Sequence, residues 1–284
     1  MNLVLRKGGH FLKRSQILGT NFGYTQYPFD YFVSSISGMD VDRIEFYACY
    51  PHMYLYDVTP QDAYSVYREL KSAGVSVEVF TAEQCNYPIS ISMSDPLVYQ
   101  RSLDYYFRAL DCAEALESPH MQMVTGPGFL CDSHEEDFKR AEEAMYRIVK
   151  VAEKKGISIY LENDPNTSVR NSDDVMRMIR SIGSPCLEGL IDTNGIYNSK
   201  EDFTYAVENM GAHLKHLHFI DFKEPDGYCL IPGTGDLPME DYLRILDKHG
   251  FEGTFTPELW GNTYSDDPDS AMRKCMEFLR AHAE

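Results

Sequence analysis

Apolar positions in this chain follow two rhythms that alternate. Short runs have the two-residue period of strands. Each is followed by a longer stretch in which apolar residues return at three- and four-residue steps, the period of a helix with one buried face. The strand-like runs are Ile17 to Tyr24, Arg43 to Tyr47, Val75 to Thr81, His120 to Val124, Ile157 to Glu162, Leu187 to Asp192, Leu214 to Phe222 and Gly253 to Glu258. The helix-like stretches are Phe29 to Ser37, Pro60 to Ala73, Asp95 to Leu116, Glu135 to Lys155, Ser172 to Ile182, Lys200 to Met210, Met239 to His249 and Pro268 to Ala281. The punctuation agrees. Thr59 stands before Pro60 as an N-cap stands before a proline in the first helical position. Gly74, Gly156 and Gly250 sit where a left-handed residue ends a helix.

Eight β-then-α units predict an α/β fold, a (β/α)8 TIM barrel, formed by one domain over residues 1–284 with 1–16 as an N-terminal extension. The other α/β arrangement is an open doubly wound sheet, but no GxGxxG follows any of the strand-like runs.

Composition narrows the partners. With 43% hydrophobic and 25% charged residues, the chain is an ordinary core-forming sequence. A net charge of −18 argues against nucleic acid, whose phosphates are bound mainly through Lys and Arg. No run approaches the roughly 20 apolar residues of a membrane helix. Seven cysteines without a CxxC fit buried thiols in a reducing compartment, so a cytoplasmic location is expected.

Candidate chemistry sits at the strand ends. In a barrel of this kind the active site lies at the C-terminal ends of the strands. The last four strand-like runs carry Glu162, Asp192, His218 and Glu258 at or near their ends. One such residue alone would read as a solvated strand end, a turn former or a core histidine. Four in succession are hard to explain by packing, because buried charge is costly unless paired or metal-bound. Three carboxylates and an imidazole form a hard-to-borderline donor set suited to Mn, Co, Mg or Zn. His216 shares a strand face with His218 and is a rival ligand, whereas His213 reads as structural.

These residues carry a resemblance. Tyr160-Leu161-Glu162, Leu190-Ile191-Asp192-Thr193, His216-Leu217-His218-Phe219-Ile220-Asp221, Pro232-Gly233-Thr234-Gly235 and Gly253-Thr254-Phe255-Thr256-Pro257-Glu258 resemble the sugar isomerase/epimerase superfamily with its xylose isomerase-like barrel, over essentially the whole chain. The closer likeness, to fructoselysine 3-epimerase and the ketose 3-epimerases, rests on Tyr50-Pro51-His52, Glu83 with Asn86-Tyr87-Pro88, Arg101-Ser102-Leu103-Asp104 and Ile231-Pro232-Gly233. The resemblance implies Glu162, Asp192, His218 and Glu258 as metal ligands, and Glu162 and Glu258 as the catalytic pair. It implies an epimerase or isomerase of a ketose or a fructosamine-like adduct, removing a proton beside a carbonyl and returning it to the other face by way of a metal-stabilised enediolate. The alternatives are a lyase or hydrolase of modified sugars, such as a 3-oxo-glycoside or C-glycoside deglycosidase subunit, and a non-catalytic sugar-binding barrel. A homo-oligomer is expected, and the deglycosidase alternative would add a second subunit.

Two departures bear on substrate. Many relatives have His three residues after the metal Asp, where this chain has Gly195, and the Arg that ketose 3-epimerases place after the metal His is missing. The first argues against a trinuclear endonuclease, and the second against simple free ketoses. His52, Glu83, Asn194, Asp221 and Trp260 are the further substrate-binding candidates. Tyr24 and Tyr87, like Trp260, are aromatic candidates for stacking, and Asp221 could instead support the site from behind.

Overall fold

The computed structural model describes residues 11–84, 89–225 and 227–284. Its main sheet has eight strands, all parallel: β1 Gly19–Thr20, β2 Arg43–Ala48, β3 Ser76–Ala82, β4 His120–Met123, β5 Ser158–Glu162, β6 Leu187–Asp192, β7 Leu214–His218 and β10 Thr254–Thr256, in that order. A parallel bridge between Ile17 and Phe255 brings the two edges together, leaving a nearly closed barrel. Helices α1 Phe29–Ser37, α2 Pro60–Ser72, α3 Pro96–Ala115, α4 His134–Lys155, α5 Ser172–Ile182, α6 Thr193–Asn198, α7 Phe203–Met210, α8 Met239–Lys248 and α9 Pro268–Ala281 follow the strands.

Alternation along each strand sorts the side chains. On β5, Ile159 and Leu161 join the large core with the helices, while Tyr160 joins Leu18, Val79 and Leu190 in a small separate cluster. On β7, Leu217 belongs to the large core, and the two-residue period puts His216 and His218 together on the opposite face. The interior of the barrel is therefore apolar at one level and polar above it. Helix ends hold as the sequence suggests. Thr59 and Asp62 cap α2 reciprocally, as Ser133 and Glu136 cap α4, and Gly156 closes α4 at φ 69°. Such caps contribute about 1 kcal/mol each.

Three expectations change. The first strand is shorter, because the Asn21 side chain takes over the ladder: its Oδ1 accepts from Tyr47 N at 2.7 Å and its Nδ2 donates to Tyr47 O at 2.8 Å, and the chain turns through Phe22–Tyr24. The helix expected over Lys200 to Met210 starts at Phe203 and is preceded by α6, nucleated directly on the end of β6 by Asp192. The run from Leu214 breaks after His218, and Asp221–Lys223 (β8) turns back with Gly227–Leu230 (β9) as an antiparallel hairpin. Of the extension, Leu12 bridges to Ala283; residues 1–10 lie outside the described residues.

Candidate active site at the strand ends

Strand register brings the four predicted ligands to one level. Asp192 of β6 pairs with His218 of β7, Thr256 of β10 pairs with His218 from the other side, and Glu258 follows Thr256 by two residues. Glu162 ends β5 beside Leu190. One donor atom from each of Glu162, Asp192, His218 and Glu258 lies within 4.8 Å of all the others. The Nδ1 of His218 sits 3.2 Å from Glu162 Oε1 and 3.1 Å from Glu258 Oε2. Gln122 of β4 donates to the other oxygen of Glu162, and Gln84 Nε2 donates to Gln122 Oε1 at 2.7 Å, so this carboxylate is oriented from behind. Asp192 also N-caps α6, accepting from Gly195 N at 2.8 Å through Oδ1.

Beneath this level lies a residue that the strand-end reading passed over. Glu45, midway along β2 and fully buried, has Oε1 3.1 Å from His218 Nε2 and Oε2 2.9 Å from His216 Nε2. Thr81 donates to the same carboxylate at 2.5 Å. His216 is fixed at its other nitrogen by Thr254 Oγ1 at 2.7 Å and lies against Tyr160. Its nitrogens thus meet Glu45 and Thr254, whereas His218 Nδ1 meets Glu162 and Glu258. Glu45 accepts from three donors and leaves His218 Nδ1 facing the three carboxylates. Its signal in the sequence was a lone acid inside the apolar run Ile44-Glu45-Phe46.

The electrostatics follow from crowding. Burial raises the pKa of Glu162, Glu258 and Asp192, Asp192 to about 7, and the neighbouring carboxylates add to it. Burial opposes the charged form of His218, but Glu258, Glu45 and Glu162 outweigh it and hold the ring well above its ordinary value. Glu45 is the converse: burial disfavours its charge, and the two histidines outweigh that and hold it well below the usual carboxylate range. Three acids thus gather around one imidazole. A divalent cation matches that charge better than one proton does, and the donor set fits it.

Glu162, Asp192 and Glu258 line a cavity of about 270 Å³ together with Phe22, Tyr47, Gln122, Asn194, Tyr228, Cys229 and Trp260. Asn194 is therefore at the site, and its Oδ1 has no hydrogen-bond partner among the described residues. Trp260 is there as well, with Nε1 3.4 Å from the Tyr47 hydroxyl. Glu83 lines a second cavity, which adjoins the first through Tyr47 and Trp260. Tyr228 and Cys229 reach the site on the β8–β9 hairpin, which the sequence pattern did not reveal.

Two candidates lie elsewhere. His52 is buried away from the strand ends: Nδ1 meets Asn21 Nδ2 at 2.8 Å, Nε2 meets Tyr27 O at 3.0 Å, and the ring packs on Phe29 and Phe32. Both nitrogens are spent within the fold, so it is not placed to bind a substrate. Asp221 points into its own loop and accepts from four backbone amides, Phe222, Gly233, Gly235 and Leu237, at 2.8–3.0 Å. It shapes the loop instead of facing the cavity. Tyr24 is buried with its hydroxyl on Asp269, and Tyr87 lies outside the described residues.

Gly195 is explained by its neighbours. A Cβ there would come within 2.7 Å of Asn163 O and 2.8 Å of Asn163 Nδ2, so a histidine at this position has no room.

Comparison with known proteins agrees with this architecture. The family described as xylose isomerase-like TIM barrel matches residues 33–282. Fructoselysine 3-epimerase of Escherichia coli O157:H7 is 24% identical over 269 residues, covering 91% of this chain and 95% of that one. Among solved structures, 3-keto-D-glucoside 4-epimerase from E. coli superposes with a TM-score of 0.76 at 18% identity, over 93% of this chain and 98% of that one. The IOLI protein with a zinc atom superposes with a TM-score of 0.78 at 14% identity, over 94% and 98%.

Proposed function

The chain belongs to the xylose isomerase-like TIM barrel family, and from that premise we propose that it is a divalent-metal-dependent epimerase of a ketose or sugar adduct. The observation that carries the reading is the meeting of two carboxylates, Glu162 and Glu258, on the same nitrogen of His218 from the ends of different strands. Glu162, Asp192, His218 and Glu258 would hold the metal. Its chemistry there is that of a Lewis acid, favouring negative charge on the oxygens of a ketose that has lost a proton from carbon.

The protein supplies the rest. Inverting a centre beside a carbonyl requires one group to take the proton from carbon and another to deliver a proton to the opposite face. Glu162 and Glu258 fill these roles. Burial raises both pKa values, which makes each a better base than a solvated carboxylate and a competent acid once protonated. Gln122 fixes one oxygen of Glu162, and the other meets His218 Nδ1. Asn194, with its unpaired Oδ1, is the side chain we assign to a substrate hydroxyl. The relative that acts on fructoselysine makes a ketose adduct the first substrate class to try.

The test is exchange in D2O. Protein loaded with Mn, Co, Mg or Zn is incubated with ketoses and fructosamines, and NMR follows the hydrogen beside the carbonyl. Deuterium should enter there, and Glu162→Gln or Glu258→Gln should each slow its entry by about 10²–10⁴-fold. If no compound exchanges with any of the metals, the epimerase reading fails. If both variants exchange at the normal rate, the acid–base assignment fails.

A further inference from the structure

Two buried polar atoms beside the acidic cluster have no hydrogen-bond partner among the described residues: Asn163 Nδ2 and Asn194 Oδ1. Both residues line the same cavity as Glu162 and Glu258, and they are 1% and 5% exposed. A buried polar group left unpaired costs about 1–3 kcal/mol, so each one in a native fold calls for a reason. We propose that Asn163 and Asn194 form a recognition site for sugar hydroxyls away from the reacting carbon, Asn163 donating to one oxygen and Asn194 accepting from another. This rests on the epimerase reading and adds a specificity determinant to it.

The two atoms differ in kind, and that defines the ligand. A carboxamide nitrogen donates and a carboxamide oxygen accepts. A hydroxyl does both, so two neighbouring hydroxyls satisfy the pair, whereas an ether, a carboxylate or an ammonium satisfies only one member of it. Charge points the same way. No Lys or Arg is among the described residues lining this cavity, and Glu162, Asp164, Asp192 and Glu258 are, so an anionic group such as phosphate is repelled there. The surroundings explain why these atoms are left over. Asn163 spends Oδ1 on Asp192 N at 3.2 Å, which identifies Nδ2 as its free end. A Cβ at Gly195 would come within 2.8 Å of that nitrogen, and glycine leaves it clear. Asn194 is held less firmly: its Nδ2 has only Cys229 Sγ at 4.0 Å, so its carboxamide is free to turn to a ligand. Phe22 and Tyr47 line the same cavity from the end of β1 and from β2, four strands round the barrel from β5 and β6. One side is thus aromatic and the other carries the amides, which suits a sugar, apolar on its C–H faces and polar at its rim.

Trp260, the chain's single tryptophan, lines the same cavity, so its fluorescence reads binding to metal-loaded protein without turnover. The probes are D-fructose, D-tagatose and the 4-, 5- and 6-deoxy forms of each. At least one deoxy compound should bind about tenfold more weakly than its parent ketose, because it leaves a buried partner unpaired. Asn194→Leu should bring that pair of compounds within about threefold of each other. Asn163→Asp keeps an acceptor for Asp192 N and removes the donor, and it should narrow the ratio for a neighbouring hydroxyl. Asn194→Leu should also melt no lower than the unaltered protein, since the polar atoms of Asn194 hold nothing else in the fold more firmly than a sulfur contact. A lower melting temperature with the binding ratio kept makes Asn194 structural and overturns the site. Equal binding of every deoxy compound and its parent, or ratios that neither variant changes, overturns it as well. Deuterium exchange followed in the same samples separates this site from the reaction. Hydroxyl-dependent binding without exchange leaves the site standing and removes the epimerase reading. Exchange with every compound, at ratios that neither variant changes, does the reverse.

Discussion

His218 is gripped on two sides by opposite kinds of group. Its Nδ1 faces the acids that would share a metal with it, and its Nε2 faces Glu45. A ligating histidine needs its second nitrogen fixed, because that bond selects the tautomer and makes the free nitrogen more basic. Glu45 does this while also taking hydrogen bonds from His216 and Thr81. His218 and His216 together let a fully buried carboxylate stay charged. Glu45→Gln preserves shape and removes that charge. Its expected effect is a metal affinity about 10–100-fold weaker, with the circular dichroism of the fold retained. Competition against a chromophoric chelator measures it, and an unchanged affinity would show that Glu45 does not govern the ligand.

At the scale of elements, the rim of the site depends on how two loops are organised. Helix α6 begins on Asp192 itself, so the same side chain starts a helix and joins the acidic cluster, and Gly195 permits the close approach of that helix to Asn163. On the neighbouring side, the β8–β9 hairpin carries Tyr228 and Cys229 to the cavity, and the loop that follows is gathered around Asp221. A carboxylate with four amide donors can be matched by no other residue type. Asp221→Asn puts an NH2 group against two of those N–H donors and should cost about 1–3 kcal/mol of stability. Thermal unfolding reads the loss, and hydrogen exchange at Gly233 and Gly235 should quicken with it. Protection unchanged at both glycines would mean that the loop is held by other contacts.

For the whole molecule, the acidic cluster links stability to pH. The carboxyl of Asp192 is raised to about 7, so between its ordinary value and 7 the native state holds a proton that the unfolded chain has released. Stability from this group is present in acid and is lost as pH rises through about 7. His218, raised well above 6.5, acts in the same direction. The melting temperature of metal-free protein should therefore fall between about pH 6.5 and pH 8, above the range in which the buried His52, His120 and His216 oppose the trend. A divalent metal replaces those protons, so the rise it causes in melting temperature should be larger at the higher pH. Calorimetry with and without Zn or Mn at several pH values checks both trends. A metal effect that shrinks as pH rises would contradict the assignment of these residues as ligands.

By itself the sequence determined the barrel and the identity of the four clustered residues. The barrel was legible because alternation and helical spacing are local, and each unit carried its own caps and stops. Glu162, Asp192, His218 and Glu258 were legible because each ends or closely follows an apolar strand, and parallel strands in a barrel finish at one end. Glu45 was not, since a single acid inside a strand is meaningful only once β2 faces β7 across the interior. His52 and Asp221 read as pocket residues because they follow strands. Only the packing showed that their polar atoms were already consumed, one by Asn21 and Tyr27, the other by a ring of amides. The same holds for the adjoining cavities: Tyr47 and Trp260 are 213 residues apart along the chain, and nothing local foretells that they form one wall. Residues that act through their neighbours in sequence can be read from the chain. Those that act across the barrel are decided by closure, which places distant strands side by side.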